Sequence, residues 1–147
     1  MSSLGADVLQ GLTDAFNARD FGRAQELLAD DLVFTDYAMG VTINGIDGFV
    51  DYAKGFATAF PDMRLELVSS VGDDRRAAGE FVGRGTHDGP LATPEGEIPA
   101  TGRTLAAPFV WYAELDNGKI ARLADYYNAA TFMTQLGLMP EPAAAQA

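Results

Sequence analysis

The period of the hydrophobic pattern changes at Pro61, and this change constrains the fold more than any other feature of the chain. Before Pro61, apolar residues recur at helical spacing over residues 6–18, 20–29 and 46–60. After it, apolar and polar residues alternate, as they do over residues 63–67, which is typical of a half-buried strand. Helices followed by strands predict an α+β domain rather than alternating helix–strand units.

Alternation, turn residues and helix caps predict the remaining elements. The stretch 89–102 is rich in Gly, Pro and Thr and predicts a long loop, which could act as a lid or a binding loop. The other predicted elements are strands over residues 32–37, 75–87, 104–115 and 119–128 and a last helix over residues 129–137.

We expect one domain over residues 1–140, followed by a mobile tail over residues 141–147, because the tail has little to pack. The predicted fold is a cone-shaped barrel. In it, a strongly curved antiparallel or mixed sheet wraps around the three N-terminal helices, and a short C-terminal helix follows. Gly79, Gly83 and Gly85 would permit the sheet to bend. The mouth of such a cone can hold one ligand.

Asp125 is an acid within the predicted strand 119–128, where Asp is uncommon and costly to bury. Period-2 alternation places it on one face with Ala121, Leu123 and Tyr127. Desolvation on an apolar face raises the pKa of a carboxyl group, which suits a general acid/base near neutral pH. The alternative is a structural Asp that binds backbone amides or pairs with an Arg at a strand end.

The charge balance narrows the choice of partners. With 21 acidic against 10 basic residues, the net charge is −11, so nucleic acid and anionic membrane surfaces are poor partners. The sequence has no run of about 20 apolar residues for a membrane span and no N-terminal signal-peptide pattern. It also has no cysteine, and together these features predict a cytoplasmic protein.

The scarcity of metal ligands narrows the chemistry. His87 is the only histidine and there is no cysteine, whereas zinc and non-haem iron sites usually draw on several such ligands. No acidic cluster has the spacing of a calcium-binding loop, and the glycine motifs of nucleotide-binding proteins are absent. We therefore expect no metal and no cofactor, which leaves acid/base catalysis on a bound small molecule.

Six short segments, with their spacing, carry a resemblance over about residues 7–140. They are Gly45-Ile-Asp-Gly-Phe49, Phe60-Pro-Asp-Met63, Gly85-Thr-His-Asp-Gly89, Pro99-Ala-Thr-Gly-Arg103, Asp116-Asn-Gly-Lys-Ile120 and Gln135-Leu-Gly-Leu138. With them the chain resembles the SnoaL-like polyketide cyclases, small ester cyclases with the nuclear-transport-factor-2-like cone fold. The resemblance implies this fold for nearly the whole chain. It says less about the reaction, because proteins with this fold also include isomerases, epoxide hydrolases, hydroxylases and binding proteins.

The resemblance also implies a role for Asp125, which lies seven residues after Gly118, where these cyclases have their catalytic acid/base. Their reaction is a cofactor-free intramolecular aldol condensation that closes a polyketide ring. Three departures from the pattern of many relatives leave other substrates or reactions open. Trp111 replaces a polar residue, Arg122-Leu-Ala-Asp125 replaces Glu-His-Trp-Asp, and Asn128 replaces a second acid. An isomerase, a hydrolase, a hydroxylase-like enzyme and a non-catalytic, hydrophobic-ligand-binding dimer remain alternatives.

Further site residues are predicted, most of them with an alternative role. His87 could be a second catalytic residue that orients substrate or binds Asp125, or it could bind the loop backbone. Asn128 could hold a substrate oxygen or cap the last helix, and Asp36 could be a pocket acid or a solvated strand-end residue. The predicted substrate-binding residues are Trp111, Phe34, Asp36, Tyr37, Phe109 and Asn128.

The expected partners are a small hydrophobic substrate and a second copy of the chain. Val82, Val110 and Tyr112 fall on the sheet face opposite Phe81 and Trp111. An apolar outer sheet face favours a homodimer or a higher homo-oligomer.

Overall fold

The computed structural model describes residues 3–140, so the mobile tail predicted for residues 141–147 lies outside the described residues. The α+β prediction is confirmed: a curved, mixed six-stranded sheet packs against helices. The helices are α1 (Leu4–Asn17), α2 (Phe21–Glu26), α3 (Ile46–Ala59) and α4 (Ala129–Gln135). The strands are β1 (Leu28–Asp36), β2 (Val41–Asn44), β3 (Arg64–Gly72), β4 (Arg76–Thr86), β5 (Leu91–Thr93), β6 (Gly96–Ile98), β7 (Thr104–Asp116) and β8 (Lys119–Tyr127).

The order of strands in the main sheet is β2-β1-β8-β7-β4-β3, with β1 and β8 parallel and all other neighbours antiparallel. The end strands β2 and β3 are not paired with each other, so the sheet is open, as in a cone. This order places β8 between β1 and β7. One row of paired residues therefore runs from Asp36 through Asp125 to Trp111.

Local signals in the sequence explain the helix ends. The Ser3 hydroxyl oxygen accepts a hydrogen bond from the Ala6 N–H at 3.1 Å and so caps α1. The predicted cap Asp20 accepts a hydrogen bond from the Arg23 N–H at 3.0 Å at the start of α2. At the other end of the third helix, α3 ends two residues before Pro61.

Pairing in the sheet overrides helical periodicity at the end of α2. The predicted helix over residues 20–29 is too long, because α2 ends at Glu26 and Leu28 already belongs to β1. There the Ile120 N–H donates to the Leu27 carbonyl at 2.9 Å, and Leu28 pairs with Ile120. The apolar residues do recur at helical spacing, but the last of them pair with β8 instead of continuing the helix.

Three further predictions at the level of strands are corrected by the structure. The turn region before α3 contains β2, and the predicted loop 89–102 contains the β5–β6 hairpin. A β-bulge in β8 leaves Ala121 without a partner on β7, so Ile120 takes the inward position that alternation gives to Ala121. Beyond the bulge, Asp125 and Tyr127 keep the predicted face.

The core lies between the helices and the concave face of the sheet. Large side chains from both layers are fully buried there, among them Leu9 of α1, Phe60 after α3 and Phe81 of β4. Gln135 fixes α4 against β7, since its side chain accepts from the Ala106 N–H at 2.8 Å and donates to the Ala106 carbonyl at 3.0 Å. α4 therefore covers one side of the space bounded by the concave face of the sheet.

Replacement of Gly137 by Ala should destabilise the protein. Gly137 has a φ of +76°, and an added Cβ would lie 2.7 Å from Arg103 Nε. A left-handed conformation costs an L-residue about 1–2 kcal/mol, so we expect at least that loss in the free energy of unfolding, measured by urea denaturation.

The matched control is Gly55→Ala. Gly55 lies within α3, and an added Cβ there would meet no atom within 4 Å. We expect that change to stabilise the protein by about 0.5–1 kcal/mol. Equal effects of the two substitutions would contradict the assignment of Gly137 to the helix terminus.

Candidate active site

The helices and the concave face of the sheet enclose a cavity whose wall is almost entirely apolar. Its volume of about 100 Å³ is several times what one water molecule needs. Among residues 3–140, Asp125 is the only one in this wall with a carboxyl or basic side chain. The lining residues are Leu12, Phe16, Phe21, Ala24, Phe34, Phe49, Val50, Tyr52, Ala53, Phe56, Met63, Leu65, Gly83, Leu105, Ala107, Pro108, Phe109, Trp111, Asp125, Tyr127 and Phe132.

Two buried polar atoms in this wall lack a hydrogen-bond partner within the described residues. They are Oδ1 of Asp125 and the indole Nε1 of Trp111. The two residues lie directly opposite each other on β8 and β7. Native proteins rarely leave buried polar groups unpaired, and such groups are commonly found where a ligand binds or chemistry occurs. Here an acceptor or acid and a donor face the same cavity from neighbouring strands.

The environment of Asp125 strongly favours its protonated form. Burial raises the pKa of this carboxyl group well above the ordinary value of 3.8, and the nearby charge of Asp36 raises it further. The indole N–H of Trp111 lies near enough to the carboxyl group to lower its pKa as a weak donor, although the two groups do not reach the geometry of a hydrogen bond. Desolvation is the largest of the three effects, so the carboxyl group can hold or release a proton nearer to neutral pH than an exposed Asp.

Asp36, by contrast, is fully buried and well supplied with hydrogen-bond donors. Its Oδ1 accepts from the Met39 N–H at 2.9 Å, and its Oδ2 accepts from the Tyr127 hydroxyl at 2.8 Å and from the Tyr52 hydroxyl. Burial raises the pKa of both tyrosines, and the Asp36 carboxylate raises each further, so both phenols keep their protons. The two tyrosine rings belong to the cavity wall, whereas Asp36 lies behind them.

The structure brings several predicted substrate-binding residues together. Phe34, Phe109 and Trp111 line the cavity, and Asp36 contacts it through Tyr52 and Tyr127. Asp36 is a buried residue rather than the solvated strand-end acid of the alternative. The substrate-binding roles of these residues stay predictions.

Two other predicted substrate-binding residues lie outside the cavity wall. Tyr37 is 52% exposed and stacks on Tyr126 with 4.8 Å between ring centroids, on the outer side of the sheet. It follows Asp36 directly, so alternation points it away from the cavity. Asn128 caps α4, because its side chain accepts from the Thr131 N–H at 3.1 Å, in agreement with the alternative given for it.

His87 is fully buried, but it does not line the cavity that contains Asp125. Nδ1 of its ring lies 3.0 Å from the Thr101 hydroxyl oxygen and accepts from the Thr101 N–H at 3.3 Å. The ring stacks on Phe60 with 5.2 Å between centroids. Within the described residues His87 makes no hydrogen bond to Asp125 and instead fixes the loop before β7 to the end of β4. Its catalytic role stays a prediction.

Sequence reasoning missed Tyr52 and did not assign Tyr127 to a contact. Tyr52 follows Phe49 by three residues and precedes Phe56 by four, so helical periodicity places it on the buried face of α3. Tyr127 lies two residues after Asp125, on the same strand face. Both signals were present in the sequence, but their common partner Asp36 is visible only in the folded chain.

Two surveys of residues 3–140 bear on other kinds of site. No three His, Cys, Asp or Glu side chains in that range come together in a way that could hold a metal ion. No helix in the same range has both the length and the apolar character that a membrane span requires.

Comparison with known families identifies the class of the protein. The chain matches the family described as SnoaL-like domain over residues 9–123, and it belongs to that family. No curated protein has a sequence that matches this chain. The family match ends at Leu123 and does not include Asp125. The role of Asp125 therefore has to be inferred from the geometry of the site.

Solved structures share the fold. The proposed polyketide cyclase IdmH from Streptomyces antibioticus is 25% identical with a TM-score of 0.75, and the match covers 90% of this chain and 98% of that one. The proposed hydroxylase AclR from Streptomyces galilaeus is 21% identical with a TM-score of 0.78, covering 94% and 87%. A protein with a ketosteroid isomerase-like fold from Catenulispora acidiphila is 18% identical with a TM-score of 0.74, covering 89% and 92%. The predicted cone fold is confirmed.

The stability of the protein should fall as the pH drops through the titration range of His87. Burial lowers the pKa of His87 below 6.5, so the unfolded chain binds a proton at a higher pH than the folded chain does. Stability is therefore lost as the pH falls below about 6.5. Because His87 is the only histidine, the ring signals in a proton NMR titration report it directly, and we expect a midpoint below 6.5.

His87→Phe provides the comparison, since it keeps an aromatic ring on Phe60 and removes the titrating group. Its midpoint of thermal unfolding should depend less on pH between about 7 and 5 than that of the parent. A His87 midpoint at or above 6.5 would contradict the buried, neutral imidazole.

Proposed function

We propose that this protein is a cofactor-independent acid/base enzyme, most simply an aldol-type cyclase of a polyketide ester or a related aromatic substrate. Asp125 is the proposed catalytic acid/base. The observation that carries the proposal is its unpaired carboxyl oxygen in an apolar cavity, with a pKa raised by burial. Membership of the SnoaL-like family and the similarity to a proposed polyketide cyclase support this reaction class.

The proposed reaction needs one proton acceptor that later becomes a donor. The ionised carboxylate of Asp125 takes a proton from a carbon between two carbonyl groups, and an enolate forms. The enolate carbon then attacks a second carbonyl carbon of the same molecule, so that a carbon–carbon bond forms and the carbonyl oxygen becomes an alkoxide. Asp125 returns its proton to this alkoxide and is again a carboxylate. Atoms and charge balance without any further reactant.

The cavity wall supports a substrate that is flat, largely apolar and neutral. Aromatic rings from all four helices and three strands contribute to the wall, which favours stacking with a conjugated system. The described part of the chain contributes no Lys, Arg or His to the wall, and so offers no counter-ion to a carboxylate or phosphate of a ligand. A raised pKa of Asp125 also agrees with a substrate whose C–H group is acidified by two carbonyls.

Trp111 is the proposed donor to the substrate. Its indole N–H is buried, unpaired within the described residues and opposite Asp125. A substrate carbonyl oxygen placed between them would accept from the indole while the adjacent C–H group faces the carboxylate. This arrangement gives a reason for an indole where many relatives have a polar side chain.

The alternatives receive less support from the same wall. Tyr52 and Tyr127 could serve an isomerase as donors to an enolate oxygen, but both hydroxyls donate to Asp36. An epoxide hydrolase with an Asp–Arg–Asp relay would need an Arg, and the described residues place none in the wall. A non-catalytic carrier would leave the unpaired carboxyl group of Asp125 without a role.

We also propose that the outer face of the sheet forms a homodimer. Tyr37, Val110 and Tyr126 are 52%, 38% and 44% exposed, and Tyr126 pairs with Val110 across β8 and β7. Together they form an apolar patch at the centre of the sheet. Burial of this patch against a second copy would remove it from water. The cytoplasmic location stays a prediction from the sequence.

Asp125→Asn should abolish most turnover of a polyketide methyl ester that has an acidic C–H group between two carbonyls. General acid/base groups contribute about 10²–10⁴-fold, so we expect a loss of kcat/KM in that range, measured by chromatography of the cyclised product. In the parent, activity should rise with pH as Asp125 ionises, with a midpoint well above 3.8.

Two controls separate lost chemistry from lost structure. Burial makes the ionised Asp125 costly, so Asp125→Asn should melt at least as high as the parent at neutral pH. Asp31→Asn removes a carboxylate from an exposed position of β1 and should leave turnover unchanged. Full activity of Asp125→Asn would overturn the proposed function.

The dimer proposal is tested by light scattering after size-exclusion chromatography. Val110→Glu combined with Tyr126→Glu should convert a dimer into a monomer, because two charges would be buried against their symmetry-related copies. Leu138→Glu, at a position that is 41% exposed and lies beyond α4, is the control and should remain dimeric. A monomeric parent protein would rule the dimer out.

A further inference from the structure

Two carboxyl groups lie side by side in the sheet with very unequal hydrogen bonding: Asp36 is fully buried, and Asp125 is partly buried with one buried oxygen. Asp36 of β1 and Asp125 of β8 are paired in the parallel ladder, where neighbouring strands are about 4.8 Å apart. Asp36 accepts three hydrogen bonds, from Tyr52, Tyr127 and the Met39 N–H. Asp125 has an oxygen with no partner. The two carboxyl groups thus differ in their number of hydrogen-bond donors, and this number decides which of them better stabilises a negative charge.

Among the described residues around Asp125 there is no cation to neutralise a second negative charge. Asp125 is faced by Asp36 from β1, Tyr127 from its own strand, Tyr52 from α3 and the non-titrating Trp111 from β7. The wall residues from α1, α2 and α4 are apolar. A second negative charge beside Asp36 is therefore unfavourable, and the charge of Asp36 raises the pKa of Asp125.

We propose that Asp36 is a positioning residue whose carboxylate, held by Tyr52, Tyr127 and the Met39 amide, carries the negative charge of the pair and keeps the proton on Asp125. An ionised carboxylate is purely an acceptor, which fits three donors around Asp36. Charge-assisted hydrogen bonds of this kind are the stronger ones, so they retain the charge on Asp36. The proton is left on the side chain that faces the cavity.

The same contacts fix the shape of the site. Asp36 lies behind the wall and binds two phenol hydroxyls, one from α3 and one from β8. It thereby ties the helix to the sheet and orients two rings of the cavity wall. The role of Asp36 in catalysis rests on the proposed function of Asp125. The electrostatic interaction between the two carboxyl groups does not.

The decisive experiment is a site-resolved carbon-13 NMR titration of the carboxyl groups in the parent and in Asp36→Asn. Asn keeps the shape of the side chain and removes the charge. We expect the titration midpoint of Asp125 to fall by about one pH unit or more in Asp36→Asn, because a like charge has been removed. Asp31→Asn removes an exposed charge from the same strand and should leave the midpoint unchanged.

Tyr52→Phe provides a second measurement that does not depend on the fold of Asp36→Asn. Without the Tyr52 hydroxyl, Asp36 has one hydrogen-bond donor fewer, and a negative charge on it is less stable. Among molecules in which one acid of the pair is ionised, a larger fraction should then have the charge on Asp125. If the midpoint of Asp125 is the same in Asp36→Asn as in the parent, the proposal is overturned. If Asp36→Asn does not fold, Tyr52→Phe decides: the proposal is overturned if the fraction of pairs ionised at Asp125 is the same as in the parent.

The pH dependence of turnover separates this inference from the proposed function. If the enzyme cyclises the test ester, the acidic limb of kcat/KM should move to lower pH in Asp36→Asn by the same amount as the NMR midpoint. If the NMR midpoint shifts but no turnover is found, the coupling of the acids stands and the proposed cyclase activity fails. A purely structural Asp36 would change stability and leave the Asp125 midpoint in place.

Discussion

The parallel pairing of β1 with β8 is the interaction on which the site depends. It joins the first strand of the chain to the last, so that the connection between them is most of the domain. The pairing sets Asp36 beside Asp125, and the β7–β8 hairpin sets Trp111 on the other side of Asp125. Strand register decides which side chains share a face, so a slip of β8 by one residue would turn Asp125 away from the cavity and break this row.

The apolar cavity gives this row of residues its chemical character. In water a carboxyl group would be ionised and hydrated, and an indole N–H would bind solvent. Here desolvation is the largest influence on Asp125, and Asp36 adds the repulsion of a like charge. A site of this kind costs stability, because a buried polar group without a partner is unfavourable. Such local violations of folding rules are expected where a protein has a function.

Fold and reaction are separate questions for this family. Similar structures include proteins described as a proposed polyketide cyclase and as a proposed hydroxylase, at TM-scores of 0.75 and 0.78. A cone of helices and sheet therefore does not by itself specify a reaction. Among the described residues, the cavity wall combines one carboxyl group, one unpaired indole N–H and no basic side chain, and a second carboxylate lies behind two tyrosines.

The sequence by itself determined the α+β class, the helix caps at Asp20 and Gly137, and the inward face of Asp125, because these follow from local propensity and periodicity. It did not place the end of α2, which depends on pairing with β8 far away in the chain. It also did not place the strand β2 or the position of His87, which depend on hydrogen bonds to β1 and to Thr101. The contact of Tyr52 and Tyr127 with Asp36 joins three elements, and only the tertiary structure decided it. Periodicity tells which face a side chain takes; the partner across the core is set by packing.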